Sequence, residues 1–204
     1  NATATYGHIS DWNVTGVTDM EEAFKDRTTF DENISGWDVS NVTNMHHMFY
    51  GASAFNQPVG DWNVSKVSDM SGMFNKASFF DQEIGNWNTR SIATMQSMFL
   101  GAASFNRDVD DWDMSNVANM QNMFAFATSF NQAVGDWNTS AVTNMNQMFQ
   151  NATAFDQDIS DWTLSTDLNM TSMFYNTPAL SDINKGLIHT SFSTNANWDY
   201  DWSA

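Results

Sequence analysis

The side chains of this chain that could do chemistry are of two kinds: isolated ones, and ones that return at a fixed interval. Histidine is of the first kind, with His8, His46, His47 and His189 and only one adjacent pair. A metal-binding or catalytic histidine needs partners at defined spacing. None accompanies His46-His47, which reads as a solvated pair on the polar side of a single helix. Carboxylates and carboxamides are of the second kind. The position before a recurring Trp holds Asp11, Asp61, Asp111, Asp136 and Asp161, and the position after a recurring Phe holds Asp31, Asn56, Asp81, Asn106, Asn131 and Asp156. In a stack of copies these become columns of oxygen atoms, the donor type that calcium prefers. Asp61, Asp111, Asp136 and Asp161 are therefore the calcium candidates. No calcium loop of known spacing is present, and Asn and Asp columns also cap turns along a stack. The structural role is the stronger expectation, and no cofactor is expected.

Catalysis finds less support. A glycosidase needs two carboxylates at a set separation, one with a raised pKa. The 24 acidic residues on a periodic surface generate such pairs by accident. Glutamate is confined to Glu21, Glu22, Glu32 and Glu83, and no insertion interrupts the repeat. No enzyme is expected, and no catalytic residue is assigned. Hydroxyls also recur, as Ser40, Ser65, Ser115, Ser140 and Ser165 with Thr18, Thr43 and Thr143. Such rows could bind carbohydrate or ice, but helix capping and turn chemistry are the simpler reading. Asn-x-Ser/Thr triplets such as Asn41-Val-Thr43 follow from the repeat and say little about glycosylation.

The elements that must position these groups follow from one period. Trp12, Trp37, Trp62, Trp87, Trp112, Trp137 and Trp162 are spaced 25 residues apart, and Met20 through Met170 and Phe24 through Phe174 keep the same phase. A period in this range marks a solenoid, propeller or array. In the second copy, Val42, Met45, Met48, Phe49 and Ala52 form one face of a short helix. Ser40 and Asn41 are its N-cap candidates, and Gly51 stands where helices end. Trp37 and Val39 alternate with polar neighbours, a strand pattern entered through Gly36. A second reading puts the strand at Val42–Met45 and leaves a helical turn at Met48–Ala52. Neither piece is stable alone, so stability must come from contact between copies.

The expected fold is an α/β repeat, a right-handed leucine-rich-repeat-like solenoid of seven repeats. Each 25-residue repeat supplies one short strand and one short helix, with the Trp column facing the Met/Phe helix face. Residues 1–177 form the solenoid. The pattern slips in the seventh copy, where Asp167 takes the Val slot and Leu168 follows it, and ends beyond Pro178, where Leu180 takes a Phe position. Residues 178–204 are expected to cap the stack.

Composition bounds the partners. Apolar residues make up 42% of the chain, which excludes a disordered segment. Seven basic residues against 24 acidic ones leave a net charge of −17. Nucleic acid is excluded for want of a basic patch, and an anionic membrane surface is disfavoured. There is no cysteine for a disulfide or thiolate site, and neither a membrane-spanning apolar run nor a signal peptide is visible. The chain reads as a piece of something longer, and as a monomer in isolation.

The stretches Phe55–Ser65, Phe130–Ser140, Val42–Phe49 and Val142–Phe149 resemble the 25–26-residue repeat of bacterial surface proteins grouped as BspA-like and leucine-rich-repeat-related. The resemblance covers about residues 6–177. It implies a secreted or cell-surface location and a role in adhesion or protein binding. Substitution of Met, Phe and Trp for the usual Leu departs from ordinary leucine-rich repeats and puts a regular horseshoe curvature in doubt. The expectation is a non-catalytic binding module presenting an extended surface to a protein or glycan, the alternative a spacer within a larger surface protein. A binding face should gather exposed aromatics on one side; Tyr50, Phe79 and Phe126 are the candidates.

Overall fold

A computed structural model describes residue 5 and residues 7–202. Its repeats are built almost wholly of reverse turns. In the second copy, six N–H groups donate to the carbonyl three residues back: Trp37 to Ile34, Val42 to Val39, Met48 to Met45, Tyr50 to His47, Ala52 to Phe49 and Phe55 to Ala52. The residues that open and close these turns are mostly the apolar ones. Ile34, Met45, Met48, Phe49, Ala52 and Phe55 have no exposed surface at all. These four-residue turns follow closely or overlap, as at 45–48, 47–50, 49–52 and 52–55, and return side chains to one side about every third residue.

This arrangement corrects the expected α/β, leucine-rich-repeat-like fold. Among the described residues there is no strand, and from residue 7 onward helix is confined to a 3-10 turn at Ile9–Asp11 and α1 at Asp182–Phe192, which lies outside the repeats. The apolar spacing of Val42, Met45, Met48, Phe49 and Ala52 fits a helix face, but a run of four-residue turns produces the same spacing. Backbone angles decide between them. His47 and Gly51 have positive φ, as do Gly72 and Lys76, Asn122 and Phe126, and the equivalent pairs of the other copies. Two left-handed residues per copy rule out a continuing right-handed helix.

The left-handed residues turn alternate N–H groups out of the copy toward the next one. Met45, His47, Phe49 and Gly51 donate to the carbonyls of Asp69, Ser71, Met73 and Asn75, while Met48, Tyr50 and Ala52 between them close turns within their own copy. Each non-glycine residue held at positive φ costs about 1–2 kcal/mol, and the bonds between copies offset this. Sheet-like pairing shrinks to one parallel bridge per copy, running Asp19, Asn44, Asp69, Thr94, Asn119, Asn144, Asn169. That column falls within the alternative strand at Val42–Met45, reduced to a single residue.

Ser40 and Asn41 do not cap a helix. Asp38 Oδ1 accepts the Ser40 N–H, and Asn44 Oδ1 accepts the His46 N–H. Both are side-chain-capped turns of the kind that short Asx side chains favour.

Three aromatic columns run through the core. The Phe24-to-Phe174 rings are spaced 5.3 to 5.9 Å apart and nearly parallel. A second Phe column, Phe30 to Phe155, stacks beside it, with Phe49 and Phe55 only 3.9 Å apart within one copy. The indoles form the third, with Trp87 and Trp112 6.4 Å apart and 4° from parallel. Each buried indole also donates Nε1–H to the chain one copy back, as Trp62 does to Ile34, Trp87 to Val59 and Trp112 to Ile84. Gly60 is needed where copies approach, because a Cβ there would lie 2.2 Å from the Glu83 carbonyl oxygen.

In the seventh copy the turn slides by one residue. Leu168 N–H reaches the Ser165 carbonyl, and Leu168 is fully buried while Asp167 is exposed. Beyond Pro178, Leu180 closes a last turn, and Ser181 accepts from Asn184 at the start of α1. Ile188 and Phe192 of α1 join the repeat core. The Phe174 N–H, with no eighth copy to receive it, donates to the Tyr200 hydroxyl 2.8 Å away. Burial pushes that phenol's pKa up. Trp198, Tyr200 and Trp202 set their rings at an angle against Phe174.

Candidate functional site

The oxygen columns resolve into different environments. In the column after the Phe, each side chain accepts the N–H of its equivalent one copy on: Asp31 from Asn56, Asn56 from Asp81, Asp81 from Asn106, Asn106 from Asn131, Asn131 from Asp156, and Asp156 from Ser181. These oxygens are occupied by backbone. The Ser181 N–H is the main reason that the Asp156 carboxyl lies below the usual range, with the Ser181 and Asn184 side chains adding to it.

The column before the Trp is exposed at Asp11, Asp61, Asp111, Asp136 and Asp161. Among the described residues no three His, Asp or Glu side chains converge to hold a metal. The calcium candidates therefore stand on the surface as a ladder of like charges. Near its middle, partial burial raises the Asp110 carboxyl, and the carboxylates of Asp136, Asp108 and Asp111 push it further.

His8 lies 3.3 Å from Glu32, and His189 Nδ1 accepts from Trp198 Nε1 in the C-terminal segment. His46 and His47 are not simply solvated. Their rings stack 3.9 Å apart, and His47 is pressed against the third copy. Tyr50 lies beside them, its ring 5.0 Å from His47 and its hydroxyl accepting from Lys76 Nζ at 2.8 Å.

Phe79 is 65% exposed, Phe126 48% and Tyr175 61%. Tyr50 is half-buried. These residues come from four different copies but from one part of the unit. Phe79 stands at the position of Ala54, Phe126 at that of Gly51, and Tyr175 at that of Tyr50. Stacking therefore carries them to one edge of the molecule. Tyr175 was missed in the sequence, although it shares the Tyr50 phase and that phase is the signal that finds it.

Against known families, the chain matches in tandem, over residues 1–106 and 78–186, a family described as Mycoplasma protein of unknown function, DUF285. The chain belongs to this family. No curated protein and no solved structure matches it. The two DUF285 windows overlap across residues 78–106, so one family unit spans several 25-residue copies. What the match establishes is a repeat protein of the DUF285 type, not specifically a BspA-like or leucine-rich-repeat one. No helix among the described residues of this DUF285 chain is long and apolar enough to cross a membrane.

Proposed function

We propose that the chain is a non-catalytic binding module of a secreted or cell-surface protein, presenting one edge of its repeat stack to a protein or glycan partner. The observation that carries this reading is that exposed Phe79, Phe126 and Tyr175 fall in one part of the repeat unit, beside half-buried Tyr50, while the other described repeat aromatics are buried or half-buried, apart from Trp12. An exposed aromatic supplies large contact area at small entropic cost and is enriched where proteins bind. The likeness of the repeat to bacterial surface-protein repeats supports the location. The acidic surface supports a partner that is neither nucleic acid nor an anionic membrane.

Protein and glycan arrays test the proposal, with the chain set against its Phe79→Ser/Phe126→Ser/Tyr175→Ser variant. The expected result is a reproducible ligand whose signal falls at least tenfold in the variant while the melting temperature is kept. Clean negatives on both arrays would overturn it and favour a spacer.

A further inference from the structure

Seven Asn-x-Ser/Thr triplets have their Asn among the described residues, and the fold separates them into two groups. Asn41 and Asn151 are engaged between copies. Asn41 Nδ2 donates to the Thr15 carbonyl and its Oδ1 accepts from Lys66, while Asn151 Oδ1 accepts from Asn176. Asn13, Asn33, Asn63, Asn138 and Asn169 are exposed. Each of these five accepts, on Oδ1, the N–H two residues on, at 3.0 to 3.2 Å. Their Nδ2 groups donate no hydrogen bond among the described residues.

Around these five the chain alternates between surface and core. Asp61 is exposed, Trp62 buried, Asn63 exposed, Val64 buried and Ser65 half-buried. Asn138 repeats the pattern, with Asp136 and Ser140 outside and Trp137 and Thr139 inside. So does Asn169, between exposed Asp167 and Thr171 and beside buried Leu168 and Met170. Asn13 and Asn33 follow it with one change, the residue before each, Trp12 or Glu32, being exposed as well. At all five, a carboxylate two residues before the Asn and a hydroxyl two residues after it reach the surface with the carboxamide. Asn41 and Asn151 have Val39 and Phe149 in place of the carboxylate.

Turn chemistry does not impose this set. In the column of Asn13, Asn63 and Asn138, Asp38 and Asp113 accept the N–H of Ser40 and Ser115 in the same way. Thr163 holds the place in the seventh copy. The Asp61 position is Gly36 or Asn86 in other copies, and the Ser65 position is Arg90 in the fourth. An Asp serves the turn equally but has no nitrogen to modify. Transfer of a sugar to Asn needs that nitrogen, on an exposed segment, in an Asn-x-Ser/Thr triplet whose middle residue is not Pro. The five meet each requirement.

We propose that Asn13, Asn33, Asn63, Asn138 and Asn169 are N-glycosylation acceptors of the folded chain, with the carboxylate two residues before each as a charged handle for the transferase. In the transfer a bond forms from Nδ2 to the sugar C1, and the bond from C1 to the diphosphate oxygen of an oligosaccharide-diphosphate donor breaks. The diphosphate leaves with the electron pair, a base of the transferase takes the Nδ2 proton, and nothing is oxidised. The proposal rests on the secreted or cell-surface reading, which puts the folded chain on the route of such enzymes. None of the five shares the part of the repeat unit that carries Phe79, Phe126 and Tyr175.

The test incubates the folded full chain with a polyprenyl-diphosphate oligosaccharide and a bacterial oligosaccharyltransferase that takes Asp-x-Asn-x-Ser/Thr acceptors. Intact mass and peptide mass mapping read the products. The expected result is glycan at the five asparagines and none at Asn41 or Asn151. Asp61→Asn, a change the column already tolerates in the fourth copy, should lower occupancy of Asn63 at least tenfold while the melting temperature is kept. Asn63→Asp should remove one glycan. A folded chain that takes no glycan, a chain modified only after heat unfolding, or Asn41 and Asn151 modified as readily as the five overturns the inference. The reaction in vitro is independent of location and of any ligand. Glycan on the five with empty arrays therefore keeps the acceptors and overturns the binding module, and bare asparagines with an array ligand do the reverse.

Discussion

Replacing Phe99 by Ala tests whether stability lies in contact between neighbouring copies. Phe99 is fully buried, with Phe105 at 4.0 Å, Phe124 at 5.5 Å, Phe74 at 5.8 Å and Trp112 at 6.3 Å. Burying the ring is worth about 1.5–3 kcal/mol by transfer alone. The gap it leaves is walled by rings fixed in columns and cannot collapse, so the full cost is about 3–5 kcal/mol. The partition of that cost is the sharper test. Phe99→Ala and Phe124→Ala share a stacked contact, so their double-mutant coupling should be about 0.5–1.5 kcal/mol. Phe49→Ala and Phe149→Ala lie four copies apart, so they should add to within about 0.5 kcal/mol. Guanidinium unfolding read by the fluorescence of the nine tryptophans supplies all the numbers. A Phe99→Ala cost below about 1 kcal/mol, or distant pairs coupled as strongly as adjacent ones, would refute the stacked-copy account.

Further outcomes follow from single contacts. Gly60→Ala should destabilise by about 1–3 kcal/mol, since its Cβ would meet the Glu83 carbonyl at 2.2 Å. Gly36→Ala, with nothing within 4 Å and no positive φ, should be neutral or stabilising by up to about 1 kcal/mol; melting curves compare the two. The Asp156 carboxyl is depressed by its bond from the Ser181 N–H, so its contribution is present above the unfolded value of about 3.9 and lost as pH falls through the lower folded value. Asp156→Asn keeps an acceptor oxygen and should lose less stability than the parent between pH 4 and pH 2, on the order of the acid range where such groups titrate; an unchanged acid profile counts against that linkage. Melting with calcium or with chelator should coincide, given the absence of a converging acidic group among the described residues; a chelator-dependent shift of several degrees would return calcium to the Asp61-to-Asp161 column.

The unit length, the buried Trp, Met and Phe positions and the slip at Asp167 were legible in the residues, because burial selects side-chain type at every copy and the selection repeats. The turn-capping role of the Asp31-to-Asp156 column was legible for a similar reason: a short Asx side chain beside a corner bonds backbone. Secondary structure was misread at Val42–Ala52. The apolar spacing there reports which residues point inward, and linked turns point them inward as a helix does.

By itself the sequence determined that this is an array, where each copy begins and which faces are apolar, since those depend only on the chemistry of residues recurring in phase. Tertiary structure decided the path of the backbone between those points. His47 and Gly51 adopt left-handed angles because the N–H groups they redirect find carbonyls in the next copy, and that gain exists only once the copies are stacked. The aromatic edge does not belong to any one copy. It is assembled from residues of four copies, so only the register between neighbours could bring them together.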